Sequence, residues 1–96
     1  MQAQYRKVTY TGTGLQSAIL IDNCRGESSK VQISGGSSDV WTLKAQICSD
    51  AQITQIQNYS NITGGDICTI PGKCYAIYLY ITTNTSGSII VEVIKE

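Results

Sequence analysis

Apolar residues in this chain recur mostly at every second position, over short stretches separated by Gly, Ser, Asn or Pro, which is the spacing of strands and not of helices. From Tyr5 to Tyr10 the alternation puts Arg6, Val8 and Tyr10 on one face and Tyr5, Lys7 and Thr9 on the other. Ser17 to Asp22 is a short apolar run, as expected of a strand covered on both faces. Lys30-Val31-Gln32-Ile33 predicts a third strand with Val31 and Ile33 inward. Val40 to Ser49 is the clearest amphipathic strand, with Trp41, Leu43, Ala45 and Ile47 on one face and Trp41 expected in or at the rim of the core. In Ile53 to Gln57 the apolar residues stand three apart, compatible with one helical turn or an irregular strand, and the stretch reads as loop-like. Asp66 to Ile70 is again a short strand.

Two β-branched and aromatic runs close the chain, Cys74 to Thr82 and Ser88 to Ile94, joined by Asn84-Thr85-Ser86-Gly87, and they predict a β-hairpin. Thr11 to Gly14, Asn23 to Ser29, Ser34 to Asp39, Asn58 to Gly65 and Pro71-Gly72 read as the connections. The count is seven or eight short antiparallel strands with no helix of normal length. The fold class is therefore all-β, a single β-sandwich or jelly-roll-like domain over residues 1–96. Met1 to Arg6 reads either as a frayed terminus or as an arm pairing with a neighbour's sheet edge.

Composition agrees with a sandwich. Six Tyr, one Trp and no Phe accompany a polar side rich in Ser, Thr, Gln and Asn, where a helical bundle would draw on Ala, Leu, Glu and Lys. Seven basic residues cancel seven acidic ones and are scattered singly, so nucleic acid is not expected as a partner, and neither is an anionic membrane. No apolar run approaches the ~18 residues of a membrane span, and none of signal-peptide length follows the charges of Arg6 and Lys7. The chain as written is expected to be made in the cytoplasm.

Candidate chemistry is sparse. With no His, the usual general base is missing, and Asp22, Glu27, Asp39, Asp50, Asp66, Glu92 and Glu96 form no recognisable pair. No enzymatic activity and no cofactor are expected. Cys24, Cys48, Cys68 and Cys74 lack the short spacing of a metal knuckle, so no metal is expected either. A Cys68–Cys74 disulfide is possible around the Pro71-Gly72 turn, although a two-residue turn pairing Thr69 with Cys74 would leave Cys68 diagonal to it, and free, half-buried thiols are favoured.

Tyr78 and Tyr80 alternate with Ile77, Leu79 and Ile81, so one face of that strand bears Tyr, either a partly exposed outer face or a contact surface. The closing strand is apolar on both sides, with Ile90 and Ile94 opposite Ile89, Val91 and Val93, which favours packing against another subunit over a simple central position. Tyr5, Tyr78, Tyr80, Ile90 and Ile94 are the candidate interface residues.

The opening Val8-Thr9-Tyr10-Thr11-Gly12-Thr13-Gly14 with Ile19-Leu20-Ile21-Asp22, the Asn58-Tyr59-Ser60-Asn61-Ile62-Thr63-Gly64 loop, and the closing Tyr75 to Thr82 and Ser86 to Ile94 runs resemble the small β-sandwich virion proteins of tailed bacteriophages. This chain differs from their pattern in carrying four cysteines. The resemblance implies a non-enzymatic decoration or cement protein on the virion. Its partners would be the major capsid protein or another virion subunit, and it would act as a homo-oligomer. A tail or fibre component, or a carbohydrate-binding module stacking sugars on Tyr78, Tyr80 or Trp41, is the alternative.

Overall fold

The computed structural model describes residues 4–21, 28–56, 58–70, 72 and 74–95. Ten strands, no helix and no cis peptide bond are found among them. They are β1 (Gln4–Tyr10), β2 (Gly14–Leu15), β3 (Ile19–Leu20), β4 (Ser29–Ser34), β5 (Val40–Gln46), β6 (Thr54–Gln55), β7 (Ile62–Thr63), β8 (Asp66–Ile70), β9 (Ala76–Thr83) and β10 (Ile89–Lys95). All pairings are antiparallel.

One sheet runs β1-β10-β4-β8, and the other has β9 and β5 at its centre with the short strands along its edges. β2 and β3 are two pieces of one edge strand against β9. Gly14 faces Ile81 and Ile19 faces Ile77, so one extra residue has entered between them, and the Gln16 N–H still donates to the Leu79 carbonyl. Along β5, β6 and β7 are likewise two ends of one edge strand, which leaves the ladder after Ile56, touches it again where the Leu43 N–H donates to the Tyr59 carbonyl, and resumes at Ile62. Asn58 and Asn61 turn this excursion with positive φ, a conformation Asn tolerates better than most residues.

Eight strand positions result, ordered first-eighth-third-sixth in one sheet and second-seventh-fourth-fifth in the other. That connectivity is the jelly roll. Val31, Ile33, Cys68, Ile70, Ile89 and Val91 from the first sheet meet Trp41, Leu43, Ile77, Leu79 and Ile81 from the second, all at most 1 % exposed.

The predicted closing hairpin does not form. β9 pairs with β2, β3 and β5, whereas β10 pairs with β1 and β4, so the two runs lie in opposite sheets. Each has one wholly apolar face, and only across the sandwich can Ile77, Leu79 and Ile81 meet Ile89, Val91 and Val93. Asn84 to Ser88 supplies the arch over the ~10 Å between sheets. The expected Thr69–Cys74 pairing fails in the same way, because β8 pairs with β4. Pro71 and Lys73 lie outside the described residues.

Smaller differences have similar causes. Ser17 to Asp22 is not covered on both faces: Ile19 and Ile21 are buried, while Leu20, on an edge strand, is 50 % exposed. Ile47 does not continue the inward face of β5, which ends at Gln46, and it is 69 % exposed. Thr54–Gln55 is a strand where a loop was expected. Gln4 to Arg6 is not a loose arm: these residues pair in register with Lys95, Ile94 and Val93. Met1 to Ala3 lie outside the described residues, as do Asp22 to Glu27, including Cys24.

Candidate functional site: the open face of the β1-β10-β4-β8 sheet

The two outer faces of the sandwich are not alike. On the β9-β5 side, two parts of the connection that carries the β6–β7 edge, near Ser49 and Ala51 and at Asn61, are tied to outward side chains of β5. Gln46 holds the first, its side-chain amide donating to the carbonyls of Ser49 (3.2 Å) and Ala51 (2.8 Å) while its Oε1 accepts from the Tyr78 hydroxyl (2.9 Å). Thr42 Oγ1 accepts the Asn61 N–H, so Thr42 and Gln46 are buried although they point away from the core.

The opposite face has no chain segment over it among the described residues. Strand register sets its residues in rows: Tyr5, Ile94, Lys30 and Thr69 across one, Lys7, Glu92, Gln32 and Ile67 across the next, Thr9, Ile90 and Ser34 across a third. Because strands β1, β10, β4 and β8 each turn one side chain in two toward the core, the other half must appear here. The Tyr5 hydroxyl donates to Glu92 Oε2 at 2.6 Å, which holds its phenol above the ordinary tyrosine range, and Lys30 Nζ donates to Thr69 Oγ1 at 2.8 Å. Between these polar pairs lie Tyr5 (61 % exposed), Ile67 (67 %) and Ile94 (37 %), around a shallow hollow of about 210 Å³ that Lys30, Gln32 and Glu92 also line.

The five interface residues expected from the sequence fall on both outer faces. Tyr5, Ile90 and Ile94 belong to the open face, with Tyr5 directly across from Ile94. Tyr78 and Tyr80 are on the other: Tyr78 is half-buried with its hydroxyl engaged, and Tyr80 lies under Lys44, whose Nζ is 5.1 Å from the ring centroid. Trp41 is wholly enclosed and cannot serve as a stacking platform; its Nε1–H donates to the Gly64 carbonyl at 2.8 Å. Ile67 went unnoticed, although the inward Cys68 and Ile70 of its strand imply that it points outward.

Cys68 and Cys74 are buried free thiols, and Cys48 is free and exposed. Burial pushes the Cys68 thiol up to about 12, with the Asp66 carboxylate adding to it, and burial raises Cys74 as well. A thiol kept protonated is a poor nucleophile and a poor metal ligand. No group of three or more Cys, Asp or Glu side chains placed to hold a metal occurs among the described residues.

Asp39 is the other feature absent from the sequence reading, which treated it as a loop residue. Its carboxylate is buried and accepts five hydrogen bonds: from the Gly36 N–H, from the N–H and hydroxyl of Thr85, and from the N–H and hydroxyl of Ser86. Chiefly the Ser86 hydroxyl, and then the backbone N–H groups and Thr85, hold it well below the usual carboxylate range against the opposing effect of burial. Every donor is from the chain itself, so the site is a structural clasp between the β4–β5 turn and the β9–β10 arch.

No protein-family model matches the chain, and no curated protein is significantly similar to it in sequence.

Proposed function

We propose that this chain is a non-enzymatic structural protein of a virion, which binds the capsid surface as a decoration or cement subunit and stabilises the particle. The observation that carries the reading is the β1-β10-β4-β8 face, which has no chain segment over it among the described residues and presents Tyr5, Ile67 and Ile94 to solvent, rimmed by Lys30 and Glu92, whereas the other face is partly tied down through Thr42 and Gln46 and exposes Leu15, Leu20 and Tyr80. An aromatic and aliphatic centre with a charged rim is the composition of a protein–protein contact. A standard interface takes ~800 Å² per partner, which one face of a sandwich this size can supply.

Other features agree with this reading. The only thiols buried among the described residues are held protonated, and the buried carboxylate of Asp39 is saturated by internal donors, so neither offers a reactive group. Jelly rolls also occur in viral capsid and lectin domains, an association at the level of fold alone. A sugar-binding alternative is weakened because Trp41 is enclosed and the Tyr78 hydroxyl is bound to Gln46, which leaves Tyr80 as the one exposed ring of the three.

The test is co-sedimentation of the purified protein with shells of its parent virus. Saturation at a fixed ratio to the capsid subunit supports the proposal. Absence of binding overturns it and moves weight to a tail or fibre component.

A further inference from the structure

The four lateral edges of the sandwich differ in how they meet solvent. Both edges of the β9-β5 sheet are broken: β2 and β3 by an inserted residue, β6 and β7 by the excursion between Ile56 and Ile62. The β8 edge is regular but plugged. Its outward N–H groups are those of Ile67 and Thr69, and the first donates to Asp66 Oδ1 at 2.8 Å, the second to the Tyr59 hydroxyl at 3.1 Å. Such devices are how β-proteins keep a sheet edge from recruiting another strand.

β1 has none of them. It is seven residues long, pairs with β10 in unbroken register, and no described group other than β10 bonds to its main chain. In antiparallel ladders, residues alternate between facing one neighbour and facing the other. Since Ile67 and Thr69 face away from β4, the alternation carried across β4 and β10 leaves Tyr5, Lys7 and Thr9 with both N–H and C=O directed at solvent.

We propose that β1 pairs antiparallel with β1 of a second copy, joining two four-stranded sheets into one continuous sheet about a two-fold axis at Val8. The side chains favour this occupant. With the axis at Val8, Lys7 of one copy stands opposite Thr9 of the other and Arg6 opposite Tyr10, so no cation directly faces a cation. Each Lys7–Thr9 pair exchanges both of its hydrogen bonds. Lys7, the residue that would otherwise guard the edge, lies directly across from Glu92 on β10, and Arg6 is drawn toward the sandwich interior edge by its bond to the Leu20 carbonyl at 3.1 Å. β8 is not an equivalent partner, because its donors are occupied. The pairing goes beyond shell binding and does not depend on it, since it uses the edge and not the open face.

A strand edge buries less than the ~1,600 Å² of a standard interface, so self-association is weak and concentration-dependent. The experiment is sedimentation equilibrium from about 10 μM to about 1 mM, a range spanning weak affinities. It is joined to amide hydrogen exchange of the native chain at both ends of that range. The expected mass rises from one chain of 10.4 kDa toward two, and the N–H groups of Lys7 and Thr9 slow by at least tenfold at the higher concentration. Lys7→Pro, which removes an outward donor and no ladder bond, should stay at the mass of one chain. A native chain that remains single at 1 mM overturns the proposal. So does association that leaves those two amides unprotected, a result readable even if Lys7→Pro does not fold.

Discussion

Asp39 and Ser86 stand 47 positions apart, yet the Asp39 carboxylate accepts both the backbone N–H (3.1 Å) and the hydroxyl of Ser86. That contact, with the two bonds from Thr85, fastens the arch between β9 and β10 to the turn between β4 and β5. The same turn is closed by the Asp39 N–H on the Gly36 carbonyl and by the Gly64 N–H on the Asp39 carbonyl, so three connections at one end of the sandwich share one residue. Replacing Asp39 with Asn keeps the size but loses the charge and turns one acceptor into a donor facing donors. The denaturation midpoint in urea should fall clearly with the slope unchanged, and Asp39→Ala should fall further.

The clasp also sets an acid limit. Because the folded pKa of Asp39 is depressed below the unfolded value of ~3.9, its contribution is fully present above about pH 4 and is lost as pH falls below that. Thermal melts between pH 7 and pH 2 should show stability dropping below about pH 4 more steeply in the native chain than in Asp39→Asn.

The alkaline limit has the opposite sign. Cys68 titrates at about 12 in the folded chain, against ~8.5 when unfolded, so the folded state holds its proton longer and stability declines as pH rises through that interval. At pH 8 an alkylating reagent should modify exposed Cys48 readily and reach Cys68 and Cys74 only after unfolding. Equal rates at Cys48 and Cys68 would contradict the burial described.

Trp41 anchors the same end of the core. Trp41→Phe leaves the Gly64 carbonyl without its donor and opens a small void, for a loss of about 2 kcal/mol, and Trp41→Ala about 3–5 kcal/mol, measured by urea unfolding. As the single tryptophan, it should show blue-shifted emission that moves to the red on unfolding.

Strand identities were largely legible in the sequence because burial imposes a period of two: the inward Val31, Ile33, Trp41, Leu43, Ile77, Leu79 and Ile81 all follow from it. Pairing was not. The Asn84 to Gly87 segment has the residues of a hairpin turn, and only the need of two apolar faces to cover each other sends β9 and β10 to different sheets. Tyr5, Ile90 and Ile94 were legible as outward residues, but the sequence could not separate their face from that of Tyr78 and Tyr80, because which outer face a residue joins depends on the sheet its strand enters. The Asp39 clasp left only the weak trace of a lone carboxylate after Gly35-Gly36 and a Thr85-Ser86 pair far along the chain.

Stabilisation of the particle through the open face is tested most directly by heating shells stripped of the protein and then re-bound with native chain, Ile94→Asp or Tyr80→Ala. Tyr80 is 40 % and Ile94 37 % exposed, so each substitution also removes partly buried apolar surface worth about 1–2 kcal/mol, and urea unfolding of the isolated variants must show both folded under the conditions of the shell assay. If the open face stabilises the particle, native chain and Tyr80→Ala raise the temperature of shell disruption, whereas Ile94→Asp leaves it at the value of the bare shell. Equal protection by Ile94→Asp, or no protection by the native chain, would contradict that role.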